Sequence, residues 1–483
     1  MIEWVCGGKY MLNTDTLINY YFKQISNIPR GSFNEKGISD YLVQFAKEKK
    51  LKYIQDKLNN VIIFKDASAG YENHAPLMLQ GHMDMVAEKE LDSSHDFTCD
   101  PLELIVEGNV LHANRTTLGA DDGCGLCYML AILADDTLKH PPLECVFTVQ
   151  EEVGLFGAFG LDMTVIKSKR MIGLDSGNEG TTCTTSSGGN DTILTKEIHR
   201  EARDGKAYLV RVDGLLGGHS GGFIAMGRGN ANILLARILY ECLLEGIDLQ
   251  VISINGGLKD NAICRSSEAK IICSSNRLIS TIQRMEKEIK EELYESDRDV
   301  FVEMKEIEKE ACMTKKDTED ILSLLYSVPN GCLEMSQSIP DLPVLSLNLG
   351  ILKTLEDKVI LHFSIRSPLS SRRNTLSNKL ICIGKAYGAT GVCDSDYPGW
   401  NYDPDSKMRN LLKTYFKETT GKDLIEMATH GGLETGIFKG KIKELDIVTL
   451  GPDMDDIHTP QERLYLDSYE RVYKQLIGFI ETL

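Results

Sequence analysis

The sequence predicts an α/β protein whose chain is interrupted by a second, α+β unit. Three observations carry that reading. Helical and strand-like segments alternate from the start to about Ser186. From residue 190 to roughly 390 the pattern changes to strands with long helices between them. Beyond Tyr397 the earlier character resumes and ends in a loop histidine, His458, of the same kind as the polar residues of the first stretch. The expected boundaries are 1–188 and 397–483 for the two parts of the first unit and 189–396 for the insertion. The first unit is expected to hold a central mixed, mostly parallel sheet flanked by helices, because strand–helix alternation builds buried sheets.

Taken in order, Thr14 to Ile25 has helical spacing, and SFNEKGISDYLVQFAKEKK forms an amphipathic helix. Asn59–Lys65 and Leu77–Gln80 are strands by their short apolar runs. Cys124–Asp135 is a strongly apolar helix, followed by strands around Cys145–Val149 and Met171–Leu174. In the insertion, TILTKEIHRE, AYLVRVDGL and LQVISING alternate as strands, with two long helices at Asn230–Glu245 and Arg277–Ser296. Strands follow around Ile271, Val300–Met304, Val344–Leu347 and Val359–Ile365. The returning chain gives a helix at Ser406–Thr419 and a last one from Leu466.

Composition narrows the function classes. At 483 residues the chain exceeds one ordinary core. Its 42% hydrophobic and 26% charged content are those of a soluble globular protein. A net charge of −18 argues against a phosphate-backbone ligand, which needs clustered Lys and Arg. No apolar run approaches the roughly 20 residues that span a bilayer, so no membrane partner is expected. The start, MIEWVCGGKYM, lacks the basic and apolar regions of a signal peptide; a cytoplasmic protein is expected, and no motif explains that segment. Thirteen cysteines without framework spacing suit reduced thiols, Cys124-Gly-Leu-Cys127 included.

Acids and histidines cluster where apolar runs end. PLMLQ precedes His82 and Asp84, ECVFTVQ precedes Glu151 and Glu152, MIGL precedes Asp175, and DIVTLGP leads to His458. His82 and Asp84 share one side of an extended segment, so His82 can ligate a metal while Asp84 orients its ring; a polar pair at a strand end has the same pattern. In TTLGADDGCG, Asp121 can bridge two metals, whereas either acid there can cap the following helix. Of Glu151 and Glu152, one can bind metal while the other takes a proton from an activated water. Two histidines and three carboxylates, with no thiolate, suit two divalent ions. Zinc is expected first, with manganese or cobalt as alternatives.

The insertion adds its own polar markers. His219 lies among glycines in GGHSGG and can polarise a carbonyl oxygen. Asn261 and Arg366 can hold a carboxylate, for which arginine offers a bidentate fork; each also reads as an ordinary surface or turn residue.

Together GHMDMV, TTLGADDGCG, EEVGLFGA, GLDSGNEG, GGHSGG, NGGLKDNAI, HGGLETGIF and GPDMDDIHTPQERL resemble the aminoacyl-histidine (Xaa-His) dipeptidases, within the wider superfamily of dizinc aminoacylases and carboxypeptidases. The resemblance runs in order over nearly the whole chain. It implies a catalytic domain holding two zinc ions and an inserted lid domain used for homodimer formation and substrate binding. His82 and Asp175 resemble ligands of one zinc, Glu152 and His458 ligands of the other, and Asp121 the bridging carboxylate. Asp84 resembles the aspartate that orients His82, Glu151 the general base, and His219 the lid histidine that stabilises the oxyanion. Asn261 and Arg366 match contacts to a substrate carboxylate, and Glu434 matches a contact to the free amino group. Asp122 stands where many relatives have Asn. The implied reaction is hydrolysis of unblocked dipeptides and other short peptides, of Xaa-His type. A deacylase or carboxypeptidase of the same superfamily and a non-catalytic metal-binding relative are the alternatives.

Overall fold

The computed structural model describes residues 12–483, together with two-residue strands at Trp4–Val5 and Lys9–Tyr10. The rest of the N-terminal segment 1–11, to which no motif was assigned, lies outside the described residues. The chain divides into two units. The first comprises residues 1–185, 402–427 and 433–483; the second comprises 186–401 and the five residues 428–432.

The first unit is built on a six-stranded sheet. Its order is Asp446–Thr449, Arg170–Gly173, Leu77–His82, Leu143–Thr148, Val61–Lys65 and Lys52–Gln55. The first four strands run parallel, and the last two are antiparallel additions. Leu77–His82 and Leu143–Thr148 are buried at every position, as strands covered on both faces must be. The apolar helix Ala120–Ala134 packs against them, and the final helix Leu466–Glu481 adds Tyr469, Val472, Leu476 and Phe479 to the same core. Cys124 and Cys127 are free and buried there, and burial pushes both thiols up, as expected of reduced core cysteines. A second antiparallel sheet joins the two N-terminal strands, Leu104–Glu107, Val110–Ala113, Arg463–Tyr465 and Met454–Asp455.

Loops following the parallel strands all emerge at one edge, where ligands bind in open α/β sheets. Gly451, just beyond Asp446–Thr449, packs its Cα against the Ser176 carbonyl, leaving no room for a Cβ. That close approach joins the loop leading to His458 with the one carrying Asp175.

The second unit is a nine-stranded antiparallel sheet centred on Pro343–Thr354, Lys358–Ser367 and Gly188–Glu197. Four long helices, not two, cover one face: Ala231–Leu244, Leu278–Glu292, Lys315–Ser327 and Ser370–Ala386. Its other face carries a smaller apolar cluster of Ala207, Ile252, Ile272 and Cys312. Among the described residues no helix is long and apolar enough to cross a membrane.

Gly451→Ala is expected to destabilise the first unit by about 1–3 kcal/mol through overpacking, read as a lower midpoint in thermal unfolding. A wild-type midpoint would show that the Ser176 loop yields freely.

Candidate metal centre and an anion-binding cluster

Five segments of the first unit converge at the strand edge. His82 ends Leu77–His82 and is buried. Its Nε2 lies 3.2 Å from Asp121 Oδ1. The other Asp121 oxygen, Oδ2, lies 3.0 Å from His458 Nε2. Asp121 therefore faces one histidine with each oxygen, which is the arrangement a bridging carboxylate requires. Donor atoms of His82, Asp121 and Asp175 lie within 4.8 Å of one another, as do those of Asp121, Glu152 and His458, and those of His82, Glu151 and Glu152.

Asp84 does more than the sequence suggests. Its Oδ1 is 3.5 Å from His82 Nδ1, which also lies 3.1 Å from Asp84's own carbonyl. The same carboxylate accepts from the Glu151 and Glu152 N–H groups at 3.0 and 3.3 Å, and from Ser32 Oγ at 2.8 Å. One buried aspartate thus aims a histidine and both glutamates. Backbone strain accompanies this: Gln150 and His458 both have left-handed φ, at 54° and 63°.

Electrostatics set this cluster apart. Burial pushes Glu151 well above the usual carboxylate range, with Asp175, Glu434 and Glu152 adding to it. Burial and then Asp121 raise Asp175 to about 7. Burial opposes ionisation of Asp121, but hydrogen bonds to His458 and His82 outweigh it and hold Asp121 low. His458 rises to about 10 against Asp121 and Glu152. Asp122 Oδ2 is buried without a hydrogen bond, and so is Glu152 Oε1, which lies 3.1 Å from His458 Nε2. Buried carboxylates in such excess require positive charge, and a His/carboxylate donor set without thiolates fits divalent ions.

Glu434 opens the helix Glu434–Lys441 and is buried. Its Oε2 accepts from Gln80 Nε2 and Thr148 Oγ1, both at 2.6 Å, Oε1 has no hydrogen bond, and burial raises it to about 8.

In the second unit His219 caps the short helix Ser220–Phe223, its Nδ1 accepting from Gly221 N–H at 3.2 Å. The ring hydrogen then sits on Nε2, 3.4 Å from Arg366 Nη2, donor against donor. Arg366 is buried and donates to Ser220 Oγ at 3.2 Å and Tyr397 OH at 3.1 Å. Among the described residues no carboxylate forms an ion pair with it. Asn261 lies beside this cluster, its carbonyl accepting from Ser220 N–H at 2.8 Å. A buried guanidinium with neutral partners only, facing a second donor, has the chemistry to bind an anion.

Sequence reasoning missed His430, whose Nδ1 and Nε2 meet Ser187 Oγ at 2.9 Å and Ser346 Oγ at 2.7 Å. Burial, then Arg366, lowers it to about 3. It also missed Asp191, Asp260 and His362, a further close group; hydrogen bonding to Asp191 raises His362. Arg30 and Glu462 gave no sequence signal as site residues either, although Glu462 lies four residues beyond His458 in HTPQERL.

A buried cluster of this donor set at the strand edge of an α/β unit is that of a metallopeptidase. The model of peptidase family M20/M25/M40 matches residues 78–482, and the chain belongs to that family, whose members hydrolyse peptide bonds. The chain is 35% identical over 468 residues to the cytosol non-specific dipeptidase of Escherichia coli (strain K12), covering 96% of each. The solved aminoacylhistidine dipeptidase from Vibrio alginolyticus superposes with a TM-score of 0.90 at 32% identity, with 97% of each chain covered. Aminopeptidase PepT from Bacillus cereus shares the fold, with a TM-score of 0.56 at 15% identity over 97% of this chain and 98% of that one. The resemblance read from the motifs is borne out at the level of family and fold.

Because His430 is held neutral, unfolding takes up a proton as pH falls below the ordinary histidine value of 6.5 towards about 3. Stability therefore falls with falling pH in that window. Between pH 6 and 4.5 wild type is expected to lose about 2 kcal/mol more than His430→Gln in urea unfolding. Parallel slopes would remove His430 as the cause.

Proposed function

We propose that the protein is a dinuclear metallo-dipeptidase that removes the N-terminal residue from unblocked dipeptides, with Xaa-His among its substrates. The observation that carries this reading is Asp121 set between His82 and His458, with buried acids around it. In this reading His82 and Asp175 would hold one ion and Glu152 and His458 the other, with Asp121 serving both. Zinc suits these donors, with manganese or cobalt as substitutes. When bound, the ions supply positive charge that polarises the scissile carbonyl and acidifies water.

The chain's own groups do the rest. Glu151, raised by burial, accepts the proton of the attacking water and passes it to the leaving amine. Asp84 keeps Glu151 and Glu152 aimed through their N–H groups. His219 donates to the oxygen that gains charge, and Arg366 with Asn261 takes the substrate's carboxylate. The absence of an ion-pair partner for buried Arg366 among the described residues supports that assignment. Glu434 is assigned to the substrate's amino group; its unpartnered Oε1 supports the role. The names of the Escherichia coli and Vibrio relatives support a dipeptide substrate and a cytoplasmic setting. A homodimer formed through the second unit completes the reading.

Hydrolysis of β-Ala-His, Gly-His, Ala-Ala and N-acetyl-Ala by metal-loaded protein tests it. Free dipeptides are expected to be cleaved, with kcat falling about 10²–10⁴-fold in Glu151→Gln and KM rising in Arg366→Ala. Cleavage of N-acetyl-Ala alone would make the protein a deacylase. Two bound ions without turnover would make it a binding protein.

A further inference from the structure

Arg30 is among the largest fully buried side chains of the first unit, yet its guanidinium pairs with no carboxylate among the described residues. Its Nη1 donates to the Met83 and Asp84 carbonyls at 3.0 and 3.2 Å, and its Nη2 to the Gly119 carbonyl. Those carbonyls belong to the two loops that carry His82 with Asp84 and Asp121. Gly119 has a φ of 65°, and a Cβ at Gly119 or Gly123 would strike the guanidinium. Both glycines are therefore needed for the arginine to lie flat between the loops.

Glu462, equally buried, approaches the same turn from the other side. Its Oε2 accepts from the Leu118 and Gly119 N–H groups at 2.7 and 3.0 Å, and its Oε1 from Ala120 N–H at 2.8 Å. Three consecutive amides directed at one carboxylate fix the backbone immediately before Asp121. Glu462 also lies on the loop that carries His458. The turn 118–120 is thus held at its carbonyl by the arginine that supports the His82 loop, and at its amides by the glutamate tied to the His458 loop.

We propose that Arg30 and Glu462 are positioning residues that set Asp121 between His82 and His458, and so determine loading of the second metal ion. The proposal rests on the dinuclear reading above. Neither residue touches substrate. A carboxylate with two oxygens can bridge only if its backbone is fixed with respect to both histidines, and no other described side chain hydrogen-bonds the 118–120 backbone.

The test is a titration of the metal-free full chain with Mn2+, followed by calorimetry and by the electron-spin coupling between paired ions. Wild type, Glu462→Gln and Arg30→Lys are compared, with circular dichroism melting as the fold control. Glu462→Gln sets an amide N–H₂ against the backbone amides at unchanged size. Arg30→Lys keeps the charge but loses the fork. Each variant is expected to bind one ion within about threefold of wild type, to bind the second at least about 10-fold more weakly, and to lose the coupled spectrum. Wild-type binding constants and coupling in the folded variants would overturn the proposal. Equal weakening of both steps would also overturn it, since that is the mark of general destabilisation. If Arg30→Lys does not fold, the isosteric Glu462→Gln decides. Fewer than two ions bound by wild type would overturn the dinuclear reading itself, and with it the proposal.

Discussion

The first unit is organised around the burial of more carboxylates at one sheet edge than the buried guanidinium beside them, that of Arg30, can neutralise. Asp84, Asp122, Glu434 and Glu462 are buried, and Asp121, Glu151, Glu152 and Asp175 are only partly open. Moving an uncompensated carboxylate into low dielectric costs many kcal/mol, so the group either keeps its proton or finds a cation. The cluster divides along that line. Asp121 is kept low by two imidazoles, while Asp175 and Glu151 are driven up by burial and by each other's neighbours. A divalent cation among them would favour the ionised form of the second group. The parallel sheet is what makes this concentration of acids possible, because only parallel strands bring several C-terminal ends, with their loops, to one edge.

The second unit has the opposite imbalance. Arg366 is buried against a serine hydroxyl, a tyrosine hydroxyl and an imidazole, all of them neutral. His219 and His430 are both held down, first by burial and then by Arg366, so neither competes with it for an anion. A buried ion pair at this place would be self-satisfied and would have nothing left to recognise. The two clusters are thus opposite in character, an excess of buried acids in the first unit and a buried cation with neutral partners in the second.

What was legible in the sequence follows from which atoms make each contact. His82, Glu152, Asp175 and His458 present side chains after apolar strands and Asp121 one in a glycine-rich turn before an apolar helix, so residue type and spacing expose them. Arg30 and Glu462 act on backbone carbonyls and amides, which every residue possesses, and no pattern in the partner sequence marks them. The helices Lys315–Ser327 and Ser370–Ala386 escaped for a related reason. The first opens with the charged run KKDTED, and the second with SSRRN, so each shows a narrow apolar stripe only late. Burial of Leu322, Leu325, Leu376 and Leu380 on the sheet, rather than local pattern, settles them as helices. Glu434 illustrates a different limit: the motif HGGLETG drew attention to it, but its hydrogen bonds to Gln80 and Thr148 are visible only in three dimensions.

An insertion of more than 200 residues separates Asp175 from the strand that leads to His458. Strand Asp446–Thr449 must pair in register beside Arg170–Gly173, with Asp446 opposite Arg170, across the whole insertion. Closing a loop of that length is costly for a disordered chain, although the cost grows only slowly with length. The second unit reduces it, because its own ends are tied together. Ser186 N–H donates to the Trp400 carbonyl at 2.9 Å, and Trp400 N–H returns the bond at 3.0 Å. Once folded, the insertion leaves at the point where it entered, and to the first unit it behaves as a short connection. His430 pins the brief second excursion, residues 428–432, through Ser187 and Ser346 in the same way. The parallel sheet can then be completed by a strand distant in sequence, and histidines from either side of the interruption meet at Asp121.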